Sequence, residues 1–117
     1  MTTLLPNSDR AIVADAKLIA YLLSESHPEG SPKARFLKGF GFSVSAPGVL
    51  RTALIDHCRQ YDVTSSRDTE FGTIFEINGR LLSPDGRNPW MLVVWMIDSG
   101  TDVPRLITAV PSQEARP

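Results

Sequence analysis

Between Asp15 and Ser24 the apolar residues Leu18, Ile19, Leu22 and Leu23 recur at helical spacing, and Asp15 stands where an N-cap belongs. The spacing predicts a first helix over 15–24. His27-Pro28-Glu29-Gly30 ends it, because Pro28 has no N–H to donate and Gly30 favours a turn. Ser31 is placed to cap a second helix with Pro32 at its first position. Ala34, Phe36, Leu37 and Phe40 form its apolar face, and Gly41 closes it at positive φ. A third helix is predicted to start after Pro47-Gly48 and run to about Gln60. Its stripe is Leu50, Ala53, Leu54, His57, Cys58 and Tyr61.

After Tyr61 the residues become β-rich, and strands are predicted over 62–67, 72–82, 90–98 and 104–110. Asp85-Gly86 and Ser99-Gly100 supply turn chemistry between them, while Asn78-Gly79 inside the second run reads as a bulge or an extra hairpin. Trp90 to Ile97 is apolar on both faces, which marks a central strand. One face should pack on the helices, and the other needs a cover that a partner can supply. Sequential strands with short connections make a meander. The fold class is therefore α+β: three N-terminal helices packed on one face of a four-stranded antiparallel meander sheet. One domain over 1–111 and a frayed tail over 112–117 are expected.

Length and composition narrow the picture. A chain of 117 residues holds one core and buries roughly two-thirds of the surface its unfolded form exposes, so no metal or disulfide is needed for folding. Cys58 is the only cysteine, which excludes an internal disulfide and a cysteine-based zinc site. No basic segment followed by an apolar run opens the chain, and the longest apolar run, Met91 to Ile97, is too short to span a bilayer. A cytoplasmic location without membrane contact is the expectation. The net charge of −1 argues against a dedicated nucleic-acid binder, but the charge is uneven. Residues 31–60 hold Lys33, Arg35, Lys38, Arg51 and Arg59 against Asp56 alone, so a polyanion would meet this third. Solvated helix-face charge explains the same run.

No phosphate-binding glycine loop, dinucleotide fingerprint or paired-histidine metal motif occurs, and no cofactor or metal is expected. The candidates are a loop and a helix start. His27 and Lys33 flank the start of the second helix, whose free N–H groups and positive dipole end suit a phosphate. A loop histidine and a surface lysine are the bland alternative. His57 reads as a hydrogen-bonded core residue before a catalyst, and Cys58 as a buried inert thiol. On the last strand, period-2 alternation sets Arg105, Ile107 and Ala109 on one face and Leu106, Thr108 and Val110 on the other. Thr108 is a hydrogen-bond donor or simply a good β-former. Asp85-Gly86-Arg87 reads first as a turn, and Trp90 with Trp95 as core.

Five short motifs follow one another: Lys17-Leu18-Ile19-Ala20-Tyr21-Leu22-Leu23; His27-Pro28-Glu29-Gly30 with Lys33-Ala34-Arg35-Phe36; Gly39-Phe40-Gly41-Phe42; Ser83-Pro84-Asp85-Gly86-Arg87; and Pro104-Arg105-Leu106-Ile107-Thr108-Ala109 with Pro111. In that order they resemble an uncharacterised bacterial domain family found as small stand-alone proteins and as C-terminal modules of polymorphic toxins. More loosely, the helices-then-sheet order is similar to the fold shared by barnase, colicin D and RelE-type toxins, the BECR ribonucleases. That resemblance implies metal-independent RNA cleavage by 2′-hydroxyl attack, with His27 as base, Lys33 and Arg105 as cations and Thr108 as a donor to phosphate. It also implies RNA and a cognate antitoxin or immunity protein as partners. The sequence departs from the pattern in the apolar Met91-Leu92-Val93-Val94, in Val110 where an aromatic residue is commoner, and in its pI of about 6.1. Two other roles compete: a non-catalytic immunity or partner-binding module that takes a partner protein or self-associates, and a small-ligand or regulatory domain with no positive signal.

Overall fold

The computed structural model describes residues 3–24, 26 and 31–112. The breaker over 27–30, His27 included, lies outside them. A short 3-10 turn, Ser8–Arg10, precedes helix α1, which has two parts: an α-helical turn, Asp15–Lys17, and a π-helical run, Leu18–Leu22. The Leu23 N–H donates to the Leu18 carbonyl at 2.8 Å, the wide i→i+5 closure of a π-turn. Asp15 does not cap this helix. Ala14 holds the N-cap position, and the Asp15 carboxylate is taken by Arg51 from the third helix.

Helix α2 is Ser31–Gly39. Its end is a Schellman motif: the Phe42 N–H reaches the Leu37 carbonyl at 3.2 Å and the Gly41 N–H reaches that of Lys38 at 3.0 Å. Gly41 sits at φ 101°, and Leu37 and Phe42 are both buried in the core. Helix α3 is Pro47–Gln60, with Pro47 itself in the first turn where its missing N–H costs nothing.

The sheet is antiparallel in the order β1 (Val63–Thr69), β2 (Gly72–Arg80), β3 (Trp90–Asp98) and β4 (Arg105–Pro111), with β3 interior as expected. Asn78-Gly79 is neither bulge nor hairpin. Both residues stay in register, opposite Leu92 and Met91. A Cβ on Gly79 would lie 2.5 Å from the Tyr61 ring, so the glycine makes room for an aromatic ring lying flat on the strand. Ile77, Val93, Trp95, Leu106 and Ala109 face the helices and meet Leu18, Leu22, Leu37 and Leu54 in one core.

Asp85-Gly86-Arg87 is the turn predicted, and it also docks the β2–β3 connection on α2. The Asp85 N–H donates to the Phe40 carbonyl at 3.2 Å, and the Arg87 guanidinium lies 4.3 Å from the Phe40 ring centre while donating to the Gly39 carbonyl. Arg87→Ala is expected to lower the urea midpoint at unchanged m, by about 0.5–1 kcal/mol for an exposed cation–π contact. An unchanged midpoint would show that the docking adds nothing to stability.

Candidate functional site

The site forms where α1 leaves the edge of the sheet. Ile12 pairs with the start of β4: its N–H donates to the Pro104 carbonyl and its carbonyl accepts from the Leu106 N–H, both at 2.9 Å. The chain then turns into α1. Between Val94 and Trp95 the ladder advances one residue on β3 but two on β4, because they face Thr108 and Leu106 respectively. Ile107 is therefore a β-bulge. The bulge overturns the simple alternation expected for this strand. Leu106 and Ala109 are both buried in the core, and Thr108 stands between them on the other side, opposite Val94.

A cavity of about 620 Å³ lies between α1 and this bulged edge. Its walls are Ala14, Ala16, Ala20 and Ile107, and its polar groups are Lys17, Tyr21 and Thr108. The three alanines are exposed, so the cavity is a groove open to solvent. Tyr21, in the π-helical run, hydrogen bonds through its phenol oxygen to the Thr108 hydroxyl at 3.1 Å. The Lys17 ammonium lies 5.1 Å from the centre of the Tyr21 ring, and so does that of Lys33 from the first turn of α2. Partial burial pushes the Tyr21 phenol up. The Thr108 and Lys33 hydrogen bonds and the charges of Lys33 and Lys17 outweigh it, and leave the phenol below its ordinary value.

Of the four residues singled out by sequence, Lys33 and Thr108 thus meet through Tyr21. His27 lies outside the described residues. Arg105 is held elsewhere: its guanidinium chelates Asp98 at 2.7 and 3.0 Å and rests on the Met96 sulfur at 3.7 Å. No described contact joins it to Tyr21, Lys33 or Thr108. Lys17 and Tyr21 were the residues missed. Their i,i+4 spacing on one helix was the available signal.

His57 is a core residue, 1% exposed, with Nε2 at 3.2 Å from the Gly79 carbonyl and 3.3 Å from that of Met91. Burial pulls its pKa below the ordinary 6.5 despite both carbonyls. The unfolded chain then binds a proton that the folded one refuses. Stability is complete above about pH 6.5 and falls as pH drops below it. The urea midpoint is expected to fall between pH 7.5 and 5.5, and His57→Phe should flatten that dependence. An equally steep fall in the variant would assign it to other groups. The Cys58 thiol is fully buried, its pKa pushed up to about 11 mainly by burial, and it donates to the Ile55 carbonyl, so it is inert.

Among the described residues no three His, Cys, Asp or Glu side chains cluster as a metal site, and no helix is long and apolar enough to cross a membrane. No curated protein matches the chain. Among solved structures, it is similar to a chain of the contact-dependent growth inhibition toxin–immunity protein complex from Klebsiella pneumoniae 342. The TM-score is 0.66 at 14% identity, covering 86% of this chain and 99% of that one. At that identity the likeness establishes a shared fold. The family model described as domain of unknown function (DUF6883) matches residues 4–113, and the chain belongs to that family.

Proposed function

We propose that this chain is a module of a bacterial toxin system and acts as a metal-independent endoribonuclease at the α1–β4 groove. The observation that carries the reading is one phenol, Tyr21, hydrogen bonded to Thr108 and flanked by the ammonium groups of Lys17 and Lys33. Cleavage by an internal nucleophile needs three things from a protein: a base for the 2′-hydroxyl, an acid for the departing 5′-oxygen, and cations for the phosphorane. In this reading His27 takes the 2′-hydroxyl proton as the 2′-oxygen bonds to phosphorus. Lys17 and Lys33 stabilise the extra negative charge. Tyr21 gives its proton to the 5′-oxygen as that bond breaks, and Thr108 orients the phenol. Arg105 is left to its ion pair with Asp98. The fold shared with a chain of a toxin–immunity complex supports the toxin-system setting.

Induced expression in a bacterial host, without any cognate partner, tests this. The wild-type chain is expected to arrest growth and fragment total RNA. Lys33→Ala and His27→Ala should relieve both at equal soluble levels.

Partner binding is the second reading, favoured by the sheet face turned from the helices. There Ile74, Leu92, Val94 and Val110 are only half-buried. Healthy growth and intact RNA in every strain would move the assignment there.

A further inference from the structure

Leu18, Leu22 and Leu23 of α1 are all fully buried in the core. In an α-helix these three would span an arc of about 140°, and Ile19, at about 100°, would lie inside that arc. Ile19 would then be buried with them. Instead it is 46% exposed. The π-turn accounts for the difference. Its bond from the Leu23 N–H to the Leu18 carbonyl brings Leu23 round towards Leu18, and Ile19 is left outside the buried arc. Ile19 is thus the extra residue of this helix.

The facing strand carries an irregularity of the same size. Leu106 and Ala109 are buried on one side of β4 although they are three residues apart, because the bulge at Ile107 absorbs one residue. In a regular strand Thr108 would share a side with Leu106. The two insertions meet at one contact, the 3.1 Å hydrogen bond between the Tyr21 and Thr108 hydroxyls. Tyr21, Ile107 and Thr108 all line the cavity, and Ile19 is not among its walls.

We infer that the one-residue insertion at Ile19, answered by the bulge at Ile107, positions the Tyr21 phenol on Thr108. This deepens the ribonuclease reading and rests on it only for the task the phenol performs. Without Ile19, the three leucines would fall at i, i+3 and i+4, the buried stripe of an ordinary amphipathic helix. No buried side chain would be lost. Tyr21 would stand two residues from Leu18 instead of three, and its phenol, at the end of a long side chain, would swing off Thr108. The insertion therefore serves the groove and not the core. Helical runs of this kind are rare and concentrate at functional sites.

A variant lacking Ile19 tests this. Its urea midpoint is expected to match or exceed that of the wild type. The chain has two tyrosines, so in a Tyr61→Phe background the ultraviolet titration of phenolate reports Tyr21 alone. Removing Ile19 should raise the pKa of that phenol, and so should Thr108→Val in the full-length helix. Adding Thr108→Val to the deletion should raise it no further. Lys17 and Lys33 act on the same phenol, so this comparison, and not the shift alone, identifies the lost partner. In single-turnover RNA cleavage the deletion should lose about 10²- to 10⁴-fold, and Tyr21→Phe should cost nothing more on top of it.

A phenol that titrates as in the wild type after the deletion would overturn the inference, as would one that Thr108→Val leaves unmoved. A deep fall in the urea midpoint, or a variant that does not fold, would overturn it too, because the insertion would then serve packing. If no protein in the series cuts RNA, the ribonuclease reading alone fails, and the titration and urea results still decide whether Ile19 positions Tyr21.

Discussion

Tyr21→Phe is expected to lower single-turnover RNA cleavage by about 10²- to 10⁴-fold, the usual contribution of a positioned acid or base, while leaving the fold in place. Phenylalanine keeps the ring against which Lys17 and Lys33 pack, so both cations stay near the groove. What it removes is the hydroxyl, and with it the hydrogen bonds to Thr108 and Lys33. Tyr21 and Thr108 are half-buried, so the stability change should stay near 1 kcal/mol or less.

The distinguishing measurement uses a substrate whose leaving group is a nitrophenolate instead of a ribose 5′-oxygen. Such a group departs without a proton, so Tyr21→Phe should cleave it almost as fast as wild type, and His27→Ala should not. The Thr108 hydrogen bond and the two nearby ammonium groups suit Tyr21 to this task, since together they outweigh partial burial, bring the phenol below its ordinary value and make it a stronger acid at neutral pH. Wild-type rates from Tyr21→Phe on ordinary RNA would remove the phenol from the mechanism. An equal loss on both substrates would make it a positioning group.

The fold was legible wherever punctuation and period agreed. Gly41 and Phe42 close α2 in the geometry that a glycine followed by an apolar residue signals. Pro47 starts α3, and the change from helical to alternating pattern after Tyr61 coincides with the start of the sheet. The site was harder to read, because its defining features leave no compositional trace. Leu18-Ile19-Ala20-Tyr21-Leu22 is as good an α-helix as a π-helix, and only the Leu23–Leu18 bond shows which forms. One extra residue at Ile107 shifts the side assignment of everything after it, so a strict alternation paired Thr108 with Leu106 when the bulge separates them. Asn78-Gly79 looked like a turn because that dipeptide usually is one. Here the glycine answers to the Tyr61 ring, which lies far from it in the chain. Arg105 looked available for phosphate because its partner, Asp98, approaches only when the β3–β4 turn folds back.

The strand that carries Val94 opposite Thr108 is also where the largest stability effect is expected. Trp95 is fully buried at the centre of β3, between Phe75 on β2 and Leu106 on β4. Trp95→Ala should cost about 3–5 kcal/mol, the lost transfer free energy together with a cavity that three paired strands cannot close. A loss of that size is a large fraction of the stability of a domain this small, so partial unfolding at room temperature is expected. Trp95→Phe separates the two components of that cost. The Trp95 indole N–H is buried with no hydrogen-bond partner among the described residues, so the tryptophan carries a desolvation penalty that phenylalanine lacks. The smaller ring loses packing and relieves that penalty, and the net change should stay below about 1.5 kcal/mol. Urea unfolding of both variants decides the matter. If Trp95→Phe is as damaging as Trp95→Ala, the indole N–H is satisfied in solution and the centre of the sheet depends on it. If both are mild, the core closes around the site, and β4 can reposition Leu106 and the bulge without unfolding.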